Sequence, residues 1–174
     1  MLIPEKTALF RGYVSESTAD NNLVGITDEV DLPKFEYMSE SISLAGMAGE
    51  IDSPALGQLK SVSMEIPFSG ASKQSLRLAQ DDSKPLIFRA AQEVLDTQTN
   101  QKRMAQRVIT IYGMTKEINF GKLKKAGYGN PSITKEITVY KDEIDGEVIT
   151  HIDKFAPTFI VNGEDQMKGI ADLI

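Results

Sequence analysis

The chain has 174 residues, of which 41% are hydrophobic, 25% charged and 7% aromatic. These proportions predict one globular domain over residues 1–174. Lys and Arg number 19 against 25 Asp and Glu, and the resulting net charge of −6 argues against a globally basic nucleic-acid binder.

Residue types that the chain lacks exclude several kinds of site. It has no cysteine, which excludes disulfides, thiol nucleophiles and cysteine metal sites. Its one histidine, His151, cannot build a histidine metal cluster. Neither a signal-peptide pattern nor a run of about eighteen apolar residues is present. We therefore expect no metal, no cofactor and no membrane span.

Three strands and a long loop are predicted for the N-terminal third. The strands cover residues 7–14, 23–31 and 35–44, which are rich in β-branched or aromatic residues and bounded by polar clusters. Residues 45–58 follow, rich in small residues and charged only at Glu50 and Asp52. They are predicted to be a long extended loop, and loops of this length are usually functional or disordered.

The middle of the chain predicts three strands and a helix. Apolar and polar residues alternate over residues 60–68, which is typical of a strand with one buried face. A short helix is predicted over 72–80 with Ser72 as N-cap, followed by strands over 85–95 and 103–118. At about 3.3 Å per residue the last strand is about 50 Å long, so it must bend or project beyond its own domain.

A hairpin and a helix are predicted for the C-terminal part. Its strands cover residues 133–140 and 147–155, joined by the turn-forming pair Asp145-Gly146. Ile133, Ile137 and Val139 are assigned to one strand face, with Lys135 breaking the pattern. A second helix is predicted over 163–173. The chain is thus predicted to be a mainly β sandwich or barrel with one or two short helices.

No group of residues predicts catalysis. The adjacent acids Asp81-Asp82 and Asp142-Glu143 are interpreted as solvated loop residues, and His151 has no partner nucleophile or metal ligand. The segment from Gly127 to Asn130 is interpreted as a plain turn. We therefore expect no catalytic residue and no enzymatic activity.

Charge is divided unevenly along the chain. Residues 14–65 hold ten acids and two lysines, a net charge of −8, whereas residues 102–125 hold seven bases and one acid, a net charge of +6. These segments are either solvated faces or complementary surfaces of successive copies, which would meet head to tail. Nucleic-acid binding by the basic segment is disfavoured, because no aromatic platform is interleaved with it.

Three groups of short motifs follow one another along nearly the whole chain. They comprise Leu32-Pro33-Lys34 with Ala45-Gly46-Met47 and Glu50-Ile51-Asp52; Gly113–Ile118 with Gly121–Lys124; and Tyr140-Lys141 with Asp145-Gly146, Ile152-Asp153 and Val161–Asp165. In order and spacing they resemble the major tail tube protein of contractile-tailed phages, a family shared with the tubes of R-type bacteriocins. Ala45 departs from the Gly-Gly-Met turn that is typical of this family.

The resemblance implies a β-sandwich subunit that forms hexameric rings, which stack into a hollow conduit inside a contractile sheath for DNA passage or membrane puncture. Strands of six copies would form one continuous inner barrel. About 24 strands at roughly 4.8 Å spacing and about 40° tilt give a backbone diameter near 48 Å and a lumen of about 35–40 Å.

The implied partners are further copies of the chain, sheath protein, tape-measure protein and baseplate or terminator proteins, with transient double-stranded DNA in the lumen if the particle is a phage. The implied location is the virion tail, after a stage in the host bacterial cytoplasm. The alternative function, of another class, is a soluble β-barrel module that binds a small ligand or carbohydrate.

Two sets of residues are assigned to this assembly. The first set is expected to contact neighbouring subunits, rings or sheath, because small residues allow close backbone approach and the basic segment offers charge; it comprises Ala45, Gly46, Met47, Gly49, Glu50, Ile51, Asp52, Lys116, Lys122 and Lys124. The second set is polar and is expected to face the lumen, from one of two strands; it comprises Ser39, Ser41 and Ser43, or Thr134, Glu136 and Thr138.

Overall fold

The computed structural model describes residues 1–80, 82–156 and 158–173. These residues form ten strands: β1 Leu2–Val14, β2 Tyr37–Ile42, β3 Ile51–Leu59, β4 Ser63–Pro67, β5 Leu86–Asp96, β6 Gln101–Asn119, β7 Ser132–Ile144, β8 Glu147–Asp153, β9 Thr158–Val161 and β10 Glu164–Asp165. They also form helices α1 Lys73–Gln80 and α2 Lys168–Ala171 and a 3-10 turn, Ala19–Asn21. The predicted mainly β class with short helices is confirmed.

Eight of these strands form one antiparallel sheet in the order β1-β5-β6-β7-β8-β9-β10, with β4 also paired to β7. The first half of β7 pairs with β4, and the second half pairs with β8 along the same edge. The sheet therefore forks along β7. Strands β2 and β3 form a separate hairpin. The strands in the described part of the chain do not close into a barrel.

β6 is the longest strand, with 19 residues. It pairs with β5 through Gln101–Ile111 and with β7 through Arg107–Asn119, so its two neighbours are staggered along it. The predicted strand over 103–118 is confirmed and is longer than expected, about 60 Å at 3.3 Å per residue.

The core lies on one face of the sheet, between the two branches of the fork. The most deeply buried side chains come from α1, from strands β4 to β7 and from the residue that follows β4. They are Ile66, Phe68, Leu78, Leu86, Ile111 and Ile137. α1 covers this core with Leu78 and begins as predicted, because the Ser75 backbone N–H donates to the Ser72 hydroxyl at 3.0 Å.

The prediction of a strand over 23–31 is wrong. That segment forms only an isolated bridge between Ile26 and Phe68, next to a second bridge between Asn22 and Tyr13. Gly25 has φ +93° there, outside the extended region, so a regular ladder cannot continue past it.

The prediction of an eleven-residue helix over 163–173 is also wrong in extent. Gly163, at φ +78°, turns the chain back so that Glu164 and Asp165 pair with β9. Only Lys168–Ala171 is helical. Ile174 lies outside the described residues. So does Asp81, which was interpreted together with Asp82 as a pair of solvated acids.

The alternation predicted for β7 is correct only as far as Ile137. Tyr112 pairs with Val139 and Gly113 with Ile137, so Thr138 is an extra residue in β7. Such a bulge shifts the alternation by one residue, and Tyr140 rather than Val139 enters the core. Lys135 does not break the pattern either, because its side chain is 3% exposed.

A carboxylate satisfies the buried lysine. Lys135 Nζ donates to Asp82 Oδ1 at 2.8 Å, and the Thr115 hydroxyl and backbone N–H donate to the same oxygen at 2.7 and 3.0 Å. Burial opposes ionisation of Asp82, but the hydrogen bonds from Lys135 and Thr115 outweigh it and lower the pKa of Asp82 below 3.8. The ion pair fastens the loop after α1 to β6 and β7.

Asp82→Asn should make the free energy of unfolding depend less on pH. Because the folded pKa of Asp82 is lowered, its stabilisation is complete above the unfolded value and is lost as the pH falls through the folded value. We expect Asp82→Asn to cost about 1–2 kcal/mol at pH 7 and to match the wild type in strong acid. Urea denaturation at both pH values, with exposed Asp20→Asn as control, measures this; a constant difference at both pH values would contradict it.

Candidate functional site

The β2–β3 hairpin stands apart from the core. Its strands pair in the register Ser39↔Pro54, Ser41↔Asp52 and Ile42↔Ile51, and every residue of β2 is exposed. Residues 51–58, predicted to belong to a long loop, are thus a strand. Pro54 and Gly57 indicated a loop, but Pro54 is tolerated because both strands of a two-stranded hairpin are edges. Gly57 lies where the register shifts between Ser39↔Pro54 and Tyr37↔Leu59, and glycine often marks such a bulge.

The base of the hairpin is fixed to the rest of the protein. The Tyr37 ring contacts the Phe159 ring edge-on with centroids 5.6 Å apart. Gly57 has φ +68°, and a Cβ added there would lie 1.7 Å from Met167 Sδ. The hairpin therefore projects from an anchored base and is not a free loop.

Gly57→Ala should destabilise the protein by about 1–2 kcal/mol, because a side chain disfavours positive φ and must displace Met167. Gly49 is the matched control, since it lies in the same hairpin with open space around it and no positive φ. Gly49→Ala should change the free energy of unfolding by less than about 0.5 kcal/mol. Equal losses for the two variants in urea denaturation would refute the anchoring role of Gly57.

The predicted interface residues fall into two separate places. Those from Ala45 to Asp52 lie together at the tip of the hairpin and at the start of β3, all exposed. Lys116 lies on β6, and Lys122 and Lys124 lie in the connection that follows β6. The residues from Ala45 to Asp52 thus lie close together in the structure, whereas the three lysines lie elsewhere, on β6 and in the connection after it.

The two predicted lumen sets also lie apart. Ser39, Ser41 and Ser43 belong to the hairpin, where Ser41 donates a hydrogen bond to Asp52. Thr134 and Glu136 lie on β7 and alternate with buried residues, so they share the sheet face opposite the core. Thr138 is the bulged residue, and its hydroxyl donates to the Tyr112 carbonyl at 3.2 Å. No single sheet face can therefore hold both sets.

Glu136 is the centre of a polar network. It accepts from the Ser61 hydroxyl at 2.9 Å and the Val62 N–H at 3.1 Å, and Lys154 and Lys116 lie 3.4 and 3.9 Å away. Burial opposes its ionisation, but hydrogen bonds from Ser61 and Val62 and the charge of Lys154 lower the pKa of Glu136. Lys116, predicted to serve outer contacts, and Glu136, predicted to face the lumen, thus meet on one surface.

Residues 120–131 form a folded loop that we call the basic loop. The Lys122 N–H donates to the Gly129 carbonyl at 2.9 Å and the Gly127 N–H to the Lys124 carbonyl at 3.2 Å. At Gly121, φ is +76° and a Cβ would lie 2.3 Å from the Gly129 oxygen, so only glycine fits. The segment from Gly127 to Asn130, interpreted from the sequence as a plain turn, is therefore part of a longer loop that its own backbone holds in one shape.

The basic loop presents large apolar side chains next to its lysines. Phe120, Leu123 and Tyr128 are 72%, 106% and 75% exposed. The expectation that no aromatic platform is interleaved with residues 102–125 is therefore wrong, because the exposed ring of Phe120 lies among their lysines. In the sequence, these side chains are indicated by the interleaving of apolar residues with Lys122, Lys124 and Lys125 in a glycine-rich connection. Three large apolar side chains this exposed in one loop make it a candidate interaction site.

A groove of about 690 Å³ lies between β1 and residues 22–32, which we call the acidic groove. Its apolar lining includes Phe10, Ile26, Val30 and Leu32, and Asp28 and Glu29 stand on its rim. The covering segment is held by the Leu23 N–H, which donates to the Gly12 carbonyl at 2.8 Å. The groove is open to solvent along one side of the sheet.

A buried ion pair supports the floor of this groove. Arg107 Nε donates to Asp142 Oδ1 at 3.0 Å, Arg107 Nη2 donates to Asp142 Oδ2, and the Tyr140 hydroxyl donates to the same Oδ2 at 3.3 Å. Asp142 is 6% exposed, so its interpretation as a solvated acid is wrong. Burial, reinforced by the charge of Asp142, raises the pKa of Tyr140 to about 12. The charge of Arg107, whose side chain is 30% exposed, is therefore paired with that of Asp142.

Several strand edges have no partner strand within the described residues. β1 pairs with β5 on one side, and its other side carries only the bridge between Tyr13 and Asn22. β5 begins at Leu86, opposite Ile111, so β6 from Tyr112 to Asn119 has no partner strand on that side. Leu9, Met114 and Ile118 are among the exposed apolar residues of these strands. Unpaired edges of this length are templates for association with another chain.

The described residues offer little for other kinds of function. They contain no group of three or more His, Cys, Asp or Glu side chains suited to a metal ion. Neither described helix has the length and apolar character needed to cross a bilayer.

Comparison with known proteins gives two positive findings. A model of the family described as phage tail tube protein FII matches residues 15–173. Among solved structures, the PVC sheath/tube terminator of an extracellular contractile injection system in the extended state is similar, with a TM-score of 0.50 and 11% sequence identity over 81% of this chain and 97% of that chain. At that identity the likeness concerns the fold. A search of curated proteins found no match.

Proposed function

The chain belongs to the phage tail tube protein FII family and is a structural subunit of a tail tube, and from this premise we propose that six copies close into a ring and that rings stack into a hollow conduit inside a contractile sheath. The observation that carries the proposal is the unfinished sheet. The outer edge of β1 extends over 13 residues with one isolated bridge in the described residues. Neighbouring copies would satisfy these backbone groups.

The ring proposal fits the number of strands. β1, β5, β6 and β7 are consecutive antiparallel neighbours in the sheet, so six copies would supply about 24 strands. Because β4 and β8 already occupy the outer edge of β7, the edges open to a neighbouring copy are the outer edge of β1 and the unpaired edge of β6 from Tyr112 to Asn119. A barrel of that size has a backbone diameter near 48 Å. The long stagger of β6 suits such a wall, because strands that tilt across a barrel must be offset from their neighbours.

In this arrangement the face opposite the core lines the bore. That face holds Thr134 and Glu136. Of the two alternative luminal sets, we therefore propose the one on β7, and the serines of the β2–β3 hairpin would not line the bore. The same face also holds Arg11, opposite Arg89 across the β1–β5 ladder. With Glu136 beside Lys116 and Lys154, the wall would carry both signs of charge and would neither bind nor strongly repel a polyanion.

The outer partners follow from the tube role. We propose that the hairpin tip from Ala45 to Asp52 contacts a neighbouring subunit or ring, because its exposed small residues allow close backbone approach. Sheath, tape-measure, baseplate and terminator proteins are the further partners, and double-stranded DNA passes through the bore if the particle is a phage. The subunit acts without chemistry of its own, in a virion tail or phage-like particle, after a stage in the host cytoplasm.

Purified chain tests the ring directly. Sedimentation velocity at increasing concentration should show a species of six subunits and then much larger particles, and negative-stain images should show hollow tubes. A compact monomer at every concentration, with a melting temperature that depends on an added small ligand or carbohydrate, would instead support a binding module.

A further inference from the structure

The basic loop and the acidic groove are complementary surfaces of one chain. We propose that the basic loop of one copy inserts into the acidic groove of a second copy, as a heterologous contact that propagates the assembly. This inference rests on the proposed self-assembly and adds the identity of the two contact surfaces.

Shape supports the pairing. The basic loop is a projection whose form is fixed by the hydrogen bond between Lys122 and Gly129 and by the close approach at Gly121. The acidic groove is a depression of about 690 Å³ lined by Phe10, Ile26 and other apolar side chains. Because both surfaces are already folded, little conformational entropy is lost on docking.

Apolar matching supplies the driving force. Phe120, Leu123 and Tyr128 each expose more than two thirds of their surface in the single chain. Each aromatic side chain offers about 150–250 Å² for burial, so the loop can supply the apolar centre of a standard interface, which buries about 800 Å² on each partner.

Charge supplies the specificity. The segment that covers the groove contributes Asp28 and Glu29 to its lining, and the loop holds Lys122, Lys124 and Lys125 and no acid. Arg107 at the groove floor is neutralised by Asp142, and Arg11 is the other base among the lining residues. Complementary rims of this kind orient two partners and reject like-charged ones.

The loop cannot fill the groove of its own chain. Ile109 lies in the groove lining, and Phe120 follows the same strand eleven residues later. At about 3.3 Å per residue these positions are about 36 Å apart along β6. A second copy is therefore the occupant that carries a matching loop, and a contact between two different surfaces closes into a ring or continues as a filament.

Cysteine cross-linking tests the contact, because the natural chain has no cysteine. One preparation carries Leu123→Cys at the tip of the basic loop, and the other carries Leu32→Cys in the groove. After mixing and mild oxidation we expect a disulfide-linked dimer that a reductant removes. Leu123→Cys mixed with Phe155→Cys, an exposed position outside the groove lining, should give no dimer. Equal dimer yields in both mixtures, or none in either, would overturn the inference.

A charge exchange repeats the test without relying on cysteine geometry. Lys122→Glu/Lys124→Glu should lower the yield of the dimer at least about tenfold, and Asp28→Lys/Glu29→Lys on the groove copy should restore it. All four positions are exposed in the single chain, so the subunit should stay folded. Failure of the second pair to restore the dimer would contradict the contact.

Cross-linking and imaging separate the two proposals. Wild-type tubes without the loop–groove dimer would leave the tube role intact and refute this contact. A loop–groove dimer without tubes or rings would support the contact and refute the hexameric tube.

Discussion

Replacing residues 44–49 by Asn-Gly will abolish tube formation while the subunit stays folded. Ile42 pairs with Ile51, so Ser43 and Glu50 remain opposite each other and Asn-Gly makes a two-residue turn between them. The removed residues are exposed and anchor nothing in the core. We expect the wild-type melting temperature within about 2 °C and no tubes in negative-stain images.

The control for this variant is Ala48→Ser, which keeps the length of the exposed tip. It should form tubes in wild-type yield. If the shortened variant also forms tubes of normal length and yield, the hairpin tip makes no contact that the assembly needs. If it loses its sharp thermal transition, the tip has a folding role that its exposure does not show.

Arg107→Met will have the largest effect on stability among the single substitutions considered. It leaves Asp142 buried at 6% exposure without its ion-pair partner. Removing one member of a buried pair typically costs about 3–5 kcal/mol. For a chain of this size that corresponds to a fall of roughly 6–20 °C in melting temperature. Because the chain has no tryptophan, urea denaturation followed by far-ultraviolet circular dichroism measures the loss.

The double variant Arg107→Met/Asp142→Leu is the matched control. It removes both charges and replaces them with apolar side chains, which is often nearly neutral in a protein interior. We expect it to recover most of the stability lost by Arg107→Met. A loss of less than about 1 kcal/mol in the single variant, or no recovery in the double variant, would show that the pair does not stabilise the fold.

Local chemistry was enough to predict several elements. Alternation over 60–68 predicted β4, and Asp145-Gly146 predicted the β7–β8 turn, where both residues have positive φ. Ser72 predicted the start of α1. In each case neighbouring residues determine the backbone, so the sequence pattern is sufficient.

Tertiary contacts decided the features that were missed. Pro54 and Gly57 argued against a strand, yet β3 is an edge strand that tolerates Pro54, and its register shift accommodates Gly57. Lys135 looked like an error in the pattern because its partner, Asp82, is 53 residues away. Asp142 looked solvated because Arg107 lies 35 residues earlier. The alternation of residues along one strand carries no information about ion-pair partners that are so far away in the sequence.

The candidate surfaces were only partly predictable. Small, weakly charged residues predicted an extended loop over 45–58, of which residues 45–50 lie at the hairpin tip and the rest belong to β3. The acidic groove depends on Gly12, which lets Ile26 lie against β1, and on a segment predicted to be a strand. The sequence does not show whether the apolar side chains of the basic loop are buried or exposed, because this depends on how the loop folds on itself.

Imaging the assembled protein at side-chain resolution would show whether copies of the chain complete each other's sheet. We expect a sixfold ring in stacked layers, with the outer edge of β1 covered by a neighbouring copy and a bore of about 35–40 Å. A particle in which β1 remains uncovered, or a concentrated preparation that contains only single copies, would contradict it.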